Sequence, residues 1–241
     1  MVEPGDDIFQ QIVDCLAANN HQLEGGDALV IAQKIISKAE DRYSYLNTVT
    51  PSEDANRLAI EADKDPRLMA CILQESTEVL RIRKGAIIVR HRNGYVHANA
   101  GIDPSNIHSD PDNPRVLLLP IDPDASAQKI RQHLHDRFGV EVNVVINDSA
   151  GRPWRNGITG YAIGTAGFEA LEDHVGNPDL FGNALQITQV AVADELASAA
   201  SILMGQGDQG APVVLVRGLT LRPSMDGSGS LIRELAQDLF R

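Results

Sequence analysis

The sequence predicts an α+β fold in which helices pack on mixed sheets. Of 241 residues, 43% are hydrophobic but only 4% are aromatic, so a sizeable core must consist mainly of Ala, Val, Ile and Leu. Short apolar runs rich in β-branched residues alternate with amphipathic segments, without a regular strand–helix–strand rhythm. The sequence contains no internal repeat and no low-complexity tract, so we expect one domain that spans residues 1–241.

The helices are predicted from N-cap residues and from apolar residues spaced three or four positions apart. Aspartate and serine are favoured N-caps because their side-chain oxygens accept the unpaired N–H groups of the first helical turn. The expected helices run from Asp6 or Asp7 to Ala18, over 37–42, onwards from Ser52, from Pro66 to Glu75, from Asp124 to Phe138, over 190–206, and over 230–240.

The strands are predicted from short apolar runs that end at Gly, Pro, Asn or Asp. Asn93-Gly94 stands between two alternating runs and predicts a hairpin with a type I′ turn. Loops are expected over 149–157, directly after Asp148, and over 176–185. The expected strands cover 28–36, the two arms of the hairpin within 85–103, 115–121, 141–148, Thr159–Gly167 and 211–219.

Charge and cysteine usage restrict the classes of function. A net charge of −12 argues against nonspecific nucleic-acid binding, which requires a basic surface. No apolar run approaches the ~20 residues of a membrane helix, and the first residues, MVEPGDDIFQ, lack the pattern of a signal peptide. Cys15 and Cys71 form no Cys-x-x-Cys motif and are expected to be buried thiols, so we expect a reduced, cytoplasmic compartment.

Two lysines in this acidic chain are candidate phosphate ligands. Lys34 and Lys38 are four residues apart, so on a helix both ammonium groups share one face and can meet phosphate oxygens. The alternative is a solvated pair of lysines that interacts with Glu40 and Asp41.

The segment GIDPSN presents Asp103 and Asn106 after the predicted hairpin. A carboxylate is a hard oxygen ligand that suits Mg²⁺ or Mn²⁺, and the Asn106 amide can bond a nucleotide or orient the aspartate. The alternative is a plain Asp-Pro turn.

A second carboxylate, Asp148, ends a hydrophobic strand and is followed by Ser149. Active-site groups are often displayed on loops by a rigid sheet, so both residues are candidate metal ligands. Arg152 and Arg155 suit an anionic substrate, because guanidinium groups pair well with carboxylate and phosphate. Trp154, the only tryptophan, is expected to anchor the loop by packing.

A glycine-rich segment at 204–211 follows the predicted helix over 190–206. Its three glycines allow backbone N–H groups to approach an anion or a base closely. A helix C-cap with a flexible loop is the alternative. The segment matches neither the P-loop nor the dinucleotide-binding glycine pattern.

Five segments together resemble one family. KIISKAEDR, NAGIDPSN, NDSAGRPWRNG, DLFG and MGQGDQGAPVVLVRG occur in this order in the coenzyme F420-0:L-glutamate ligases, and the resemblance covers about Pro4 to Gly218. It implies a GTP-dependent ligase that adds L-glutamate to F420-0 through an acyl phosphate and can add further γ-linked glutamates. It also implies a divalent metal, Mg²⁺ or Mn²⁺, with K⁺ as a further expectation. Two intimately associated subdomains and an intertwined homodimer are expected.

The same resemblance implies roles for individual residues. Asp103 and Asp148 are expected to be catalytic and to bind one metal, and Ser149 and Gln206 to bind a second metal. Arg152 and Arg155 remain candidates for substrate binding on their own chemistry. The residues expected to contact the nucleotide are Gln33, Lys34, Lys38, Asn106, Met204, Gly205, Gln206, Gly207, Asp208, Gln209, Gly210 and Ala211.

The chain also departs from the family pattern. Compared with the family pattern, we expect the N-terminal strand and the turn that touches the nucleotide to be missing or truncated, and Asp41 replaces a usual glycine. Gln206 is neutral where many relatives have Glu, and Ser149 stands where Thr is common. The alternatives are a ligase for another acidic acceptor and a nucleotide- or F420-binding protein without ligase activity.

Overall fold

Most of the predicted helices are present in the structure, a computed structural model that describes residues 1–238. Asp7 and Ser52 are N-caps as expected, since their side chains accept hydrogen bonds from the N–H groups of Gln10 and Ala55. The helix expected over 37–42 begins earlier, at Gln33, and ends at Ala39. The α-helices are Ile8–Ala18 (α1), Gln33–Ala39 (α2), Glu53–Ala62 (α3), Pro66–Gln74 (α4), Pro123–Phe138 (α5) and Val192–Met204 (α6).

Most strands lie where apolar runs predicted them, although several are shorter. The strands are Ala28–Ala32 (β1), Tyr43–Tyr45 (β2), Ser76–Arg83 (β3), Ala86–His91 (β4), Val96–Ala98 (β5), Arg115–Leu117 (β6), Asn143–Arg152 (β7), Arg155–Phe168 (β8), Glu172–Asp173 (β9), Gln189–Val190 (β10), Val213–Val216 (β11) and Pro223–Ser224 (β12).

A five-stranded sheet with the order β11-β1-β7-β8-β12 forms the centre of the fold. β1 and β7 are parallel, whereas β11, β8 and β12 pair antiparallel to their neighbours. A second sheet has the order β3-β4-β5, and the pairs β2–β6 and β9–β10 complete the strand pairing of residues 1–238. This mixture of parallel and antiparallel pairs confirms the predicted α+β fold with mixed sheets.

The central sheet is buried on both faces. Leu29 and Ile31 of β1 pack with α1 and α5, whereas Val30 packs on the opposite face with α6. Side chains alternate between faces along a strand, so a continuous apolar run such as ALVIA fills both cores. The parallel pair β1–β7 is thereby fixed between two layers of helices, and candidate site residues follow β1 at Gln33 and lie within β7 at Asp148.

A separate core supports the second sheet. Met69 and Ile72 of α4 pack against Ile87 and Val89 of β4, and all four side chains are fully buried. The helix α3 contributes its alanines to the same core. This core holds the β4–β5 hairpin, whose last strand leads into the candidate site.

The hairpin turn at Asn93-Gly94 differs from the expected type I′ turn. The Gly94 N–H donates to His91 O (2.8 Å), and the His91 N–H donates to Tyr95 O (2.8 Å), which leaves a three-residue loop. Only the glycine of the pair has a positive φ, +99°, whereas a type I′ turn needs two. The loop is therefore the three-residue hairpin class with a bulged glycine.

β7 also differs from expectation, because it does not end at Asp148. It continues to Arg152, which lies opposite Arg155 of β8, so the loop expected over 149–157 is the outer part of a long hairpin. Backbone pairing with β8 overrides the turn propensity of Ser-Ala-Gly, since strand formation depends on cross-strand context more than on single residues.

The chain after β12 is not the helix expected over 230–240. Two short 3₁₀ turns, Ser228–Leu231 and Leu235–Gln237, stand there instead, and residues 239 and 240 lie outside the described part. The Ser228 N–H donates to Asp124 Oδ1 (2.9 Å), which anchors this segment on α5. Both cysteines are free; Cys71 is buried as expected, whereas Cys15 is exposed. Within residues 1–238, no helix has the length and apolarity needed to cross a membrane.

Candidate active site

The junction between β1 and α2 brings both candidate lysines to one face. Because α2 begins at Gln33, Lys34 and Lys38 are one helical turn apart. The Lys34 ammonium donates to Asp103 Oδ2 (2.7 Å) and to Ser105 Oγ (2.8 Å). The Lys38 ammonium donates to Asn106 O (2.7 Å). The structure thus joins the lysines to the GIDPSN segment, and neither contacts Glu40 or Asp41 through an ion pair within residues 1–238.

Asp103 is held through both its backbone and its side chain. Its backbone forms a bridge with Leu117 of β6, and its side-chain Oδ1 accepts the Ser105 N–H (2.7 Å). Burial by itself would raise the pKa of Asp103, but hydrogen bonds from Lys34 and Ser105 outweigh it and hold the pKa below its usual value. The carboxylate is therefore ionised and oriented, and the interpretation as a plain Asp-Pro turn does not account for the Lys34 ion pair.

A left-handed turn delivers this segment from β5. Asn99, Ala100 and Gly101 have φ values of +54°, +55° and +70°. Such φ values cost a non-glycine residue about 1–2 kcal/mol, and the fully buried Ala100 bears that cost. A Cβ at position 101 would lie 2.7 Å from Leu119 Cδ1, so glycine is required there. The strained turn redirects the chain from β5 towards β6.

Asp148 lies in β7, the strand that pairs parallel with β1, and 13% of its side chain is exposed. Burial raises the pKa of its carboxyl, and the His97 ring, the Ser149 N–H, Lys34 and Gln33 act in the opposite direction. Gln33 Oε1 accepts the Ser37 hydroxyl (2.9 Å), which leaves its amide N–H groups for Asp148. Lys34 therefore interacts with both carboxylates, directly with Asp103 and through space with Asp148.

Lys38 is almost fully buried, with 8% exposure. Burial lowers the pKa of its ammonium group, and the charge of Lys34 adds to this effect, whereas Glu3 opposes it. Glu3 is near because the Gly5 N–H donates to Ala39 O (2.9 Å) at the end of α2. The first residues of this chain thus lie beside the lysine pair.

Arg115 is a third cation that sequence reasoning missed. Its guanidinium lies 3.8 Å from the centre of the Tyr43 ring, and its Nε donates to His108 O (2.7 Å). Its positive charge also lowers the pKa of the Lys38 ammonium group. A strand residue paired across β2–β6 gives no local sequence signal, because its neighbours come from another part of the chain.

The glycine-rich segment is tied to the same site. The Asn106 amide donates to Gly207 O (3.2 Å), and Gln209 Oε1 accepts the Gly207 N–H (2.8 Å). Gly205 is the C-cap of α6, so this helix, expected over 190–206, ends two residues earlier, at Met204. Gln206 is exposed at the start of this segment. The structure therefore brings 204–211 to Asn106, as the expected nucleotide contacts require.

The two candidate substrate arginines lie elsewhere, at the tip of the β7–β8 hairpin. Arg152 is paired with Arg155, and the Arg152 guanidinium donates to Gly157 O (3.3 Å). Four residues of strand separate Arg152 from Asp148, about 13 Å. Trp154 between the arginines is 88% exposed, so its expected role as a packing anchor is wrong. The structure does not bring this pair to the lysines.

The donors at this site suit a hard divalent cation. Asp103 and Asp148 are carboxylates that share one cationic neighbour, Lys34. Within residues 1–238, no group of three or more His, Cys, Asp or Glu side chains is arranged to hold a metal. A metal here would therefore complete its shell with amide, hydroxyl or phosphate oxygens, as Mg²⁺ commonly does.

Fold and site together describe an α+β protein in which two lysines and two carboxylates meet beside the junction of β1 and α2. The chain belongs to the F420-0:gamma-glutamyl ligase family, whose family model matches residues 1–218. Coenzyme F420:L-glutamate ligases of Methanothermobacter thermautotrophicus, Methanocaldococcus jannaschii and Methanopyrus kandleri are 44%, 43% and 42% identical to it. These matches cover 100%, 92% and 100% of this chain and 95%, 87% and 93% of the relatives. The resemblance drawn from the sequence motifs is confirmed.

Proposed function

We propose that this chain is a GTP-dependent ligase that joins L-glutamate to coenzyme F420-0. One observation supports the proposal: Lys34, at the start of α2, binds Asp103 and acts on Asp148, so lysines suited to phosphate lie beside two carboxylates suited to a metal. Membership of the family and the names of the relatives supply the substrates.

The proposed chemistry replaces a poor leaving group. A carboxylate oxygen of F420-0 attacks the γ-phosphorus of GTP, the bond to the β-phosphate oxygen breaks, and GDP leaves. The glutamate amine then attacks the acyl carbon, inorganic phosphate leaves, and the amine loses a proton. Such transfers depend mainly on positioning and on neutralising charge, which fixed cations provide.

The nucleotide contacts that we propose come from three segments. Lys34 and Lys38 bind phosphate oxygens, with Gln33 beside them on α2. Asn106 and the residues from Met204 to Ala211 complete the site, a placement supported by the Asn106–Gly207 hydrogen bond. The proposed residues of this last segment are Met204, Gly205, Gln206, Gly207, Asp208, Gln209, Gly210 and Ala211.

We assign the divalent metal, Mg²⁺ or Mn²⁺, to Asp103 and Asp148, and a second one to Ser149 and Gln206. When bound, a divalent metal offsets the charge of the phosphates during transfer. Asn147, two residues before Ser149, donates to Ser201 Oγ of α6 (3.0 Å), so the strand pleat directs Ser149 to the α6 side. Gln206 follows α6, which supports pairing it with Ser149. We also propose K⁺ as a further bound cation, and we assign no residue to it.

Further parts of the proposal rest on the family. Arg152 and Arg155 bind an anionic substrate, repeated cycles add γ-linked glutamates, and the chain acts in the cytoplasm as a homodimer. The Asn93–Gly94 turn is already covered on one side, because a Cβ at Gly94 would lie 2.6 Å from Ile232 Cδ1. In the proposed homodimer the hairpin around Asn93–Gly94 is one candidate element to reach the partner subunit, and the exposed tip of the long β7–β8 hairpin is another.

Incubation with F420-0, GTP, Mn²⁺ and L-glutamate, followed by mass spectrometry, tests the proposal. We expect F420 with one added glutamate and an equal amount of GDP. Asp148→Asn should abolish product while it leaves the melting temperature close to that of the wild type. Nucleotide binding without product from any acidic acceptor would instead support a binding protein, and full turnover by folded Asp148→Asn would refute the assigned role.

A further inference from the structure

His97 lies behind the Asp148 carboxylate. It belongs to β5, is 5% exposed, and its Nε2 is 3.7 Å from Asp148 Oδ2. Within residues 1–238 this nitrogen has no hydrogen-bond partner. Buried polar atoms nearly always have a partner, because leaving one unpaired is costly. The unpaired Nε2 of His97 therefore needs an explanation, and a carboxylate of the proposed metal site lies 3.7 Å from it.

Two tyrosines fix the orientation of the His97 ring. Tyr161 lies edge-on to it, with ring centres 5.5 Å apart, and Tyr95 does the same at 6.5 Å. Tyr95 is itself held, since its hydroxyl donates to Ile163 O (2.7 Å). Tyr161 stands directly across the ladder from Asp148. The imidazole thus cannot turn away from Asp148 without displacing both rings.

The position of the proton follows from the neighbours of Nε2. An imidazole carries a proton on at least one of its two nitrogens. A lone pair on Nε2 would face the electron-rich Asp148 carboxylate, whereas an N–H there is attracted to it. The separation of 3.7 Å exceeds a hydrogen bond by less than 1 Å. A small rotation of the carboxylate would close it.

We propose that His97 is a positioning residue that donates Nε2–H to Asp148 Oδ2 and so turns the other carboxylate oxygen towards the cation. This inference rests on the proposed metal role of Asp148. His97 touches neither substrate nor metal and acts through the carboxylate. Partners of this kind orient metal ligands, and losing one typically weakens metal affinity by about 10–100-fold.

His91 offers a matched control in the same hairpin. It is fully buried, and its Nε2 lies 3.5 Å from Glu75 Oε2, so it is also a buried histidine beside a carboxylate. Glu75 is bound by Arg42 (3.0 Å) and Arg92 (3.2 Å) and has no assigned role at the site. His91→Gln should therefore lower stability without changing the affinity for Mn²⁺.

The test is titration of Mn²⁺ into the nucleotide-free protein, with free Mn²⁺ measured by electron paramagnetic resonance. We expect His97→Phe to raise the Mn²⁺ dissociation constant about 10–100-fold, and His97→Gln to recover much of the loss because its amide can donate. His91→Gln should match the wild type in Mn²⁺ affinity. If the phenylalanine variant does not fold, His97→Leu supplies the same comparison.

The outcomes separate this inference from the proposed function. An unchanged dissociation constant in folded His97→Phe or His97→Leu, beside weakened binding by Asp148→Asn, overturns the role of His97 alone. Equal weakening by His91→Gln and His97→Phe also overturns it, because the effect would then reflect stability. Unchanged Mn²⁺ binding by Asp148→Asn removes the proposed metal role, and the His97 inference with it.

Discussion

Replacing Lys38 by methionine is expected to weaken binding of GDP in the presence of Mn²⁺ by roughly ten- to a hundredfold. The magnitude follows from a charge-assisted hydrogen bond, which contributes about 1.5–3 kcal/mol, or one to two factors of ten in affinity. Lys38 is 8% exposed, so solvent screens its charge poorly. Methionine keeps most of the side-chain volume and removes only the ammonium group.

The control for this prediction is Lys129→Met. Lys129 is an exposed lysine on α5, and exposed charges contribute little to binding or stability. We expect its variant to bind GDP within a factor of two of the wild type. Calorimetric titration of both variants against the wild type measures the difference directly.

Stability must be measured beside affinity, because the Lys38 ammonium also donates to Asn106 O. A melting curve of Lys38→Met without nucleotide shows whether the hydrogen bond from Lys38 to Asn106 O contributes to the stability of the fold. An unchanged GDP dissociation constant in the folded variant would refute the phosphate contact of Lys38. The nucleotide site would then have to be centred on Asn106 and on residues 204–211.

Three further predictions concern stability and assembly. Gly101→Ala should cost about 2–4 kcal/mol in urea unfolding from backbone strain and overpacking; Gly139→Ala, at a similar φ of +69° in open space, should cost only about 1–2 kcal/mol. Asp27→Asn should cost about 2–4 kcal/mol at pH 7, because the Arg217 hydrogen bonds hold the pKa of the buried Asp27 below its usual value. That contribution is complete above the unfolded pKa and is lost as the pH falls through the folded pKa, so the two proteins should converge in acid. Light scattering at micromolar concentration should give the mass of a dimer, and a monomer mass would contradict the proposed assembly.

Local signals predicted the framework of the fold well. The caps Asp7 and Ser52 follow from short-range chemistry and are confirmed, and a strand does pass into a helix after β1, although at Gln33 and not at the expected residue 37. The outer half of β7 was not predictable in this way, because Ser149, Ala150 and Gly151 favour a turn in isolation. Only pairing with β8 makes these residues a strand, and that partner is known only once the fold is known.

The same contrast between local signals and long-range contacts applies to the residues of the candidate site. Lys34, Asp103 and Asn106 could be grouped from the sequence because they occur in motifs that resemble one family. His97 and Arg115 could not be added to this group from the sequence. The partner of His97 is Asp148, 51 residues away in β7, and Arg115 donates to the His108 carbonyl in a loop whose position is known only from the fold. Side chains that act through long-range sheet neighbours leave no periodicity or motif along the chain.

The net charge of −12 restricts how this chain would hold the anionic nucleotide that we propose. Beyond about 8 Å at physiological ionic strength, charges on the surface are largely screened, so affinity must come from contacts at short range. We propose that Lys34 and Lys38, with Arg115 beside them, provide such contacts, since each of the three donates to a backbone oxygen of the segment 105–108 and is thereby fixed in place. Side chains that are already ordered lose little conformational entropy when a ligand binds. A solvated lysine pair would bear that entropic cost in full, so the carbonyl contacts make three cations effective within an acidic protein.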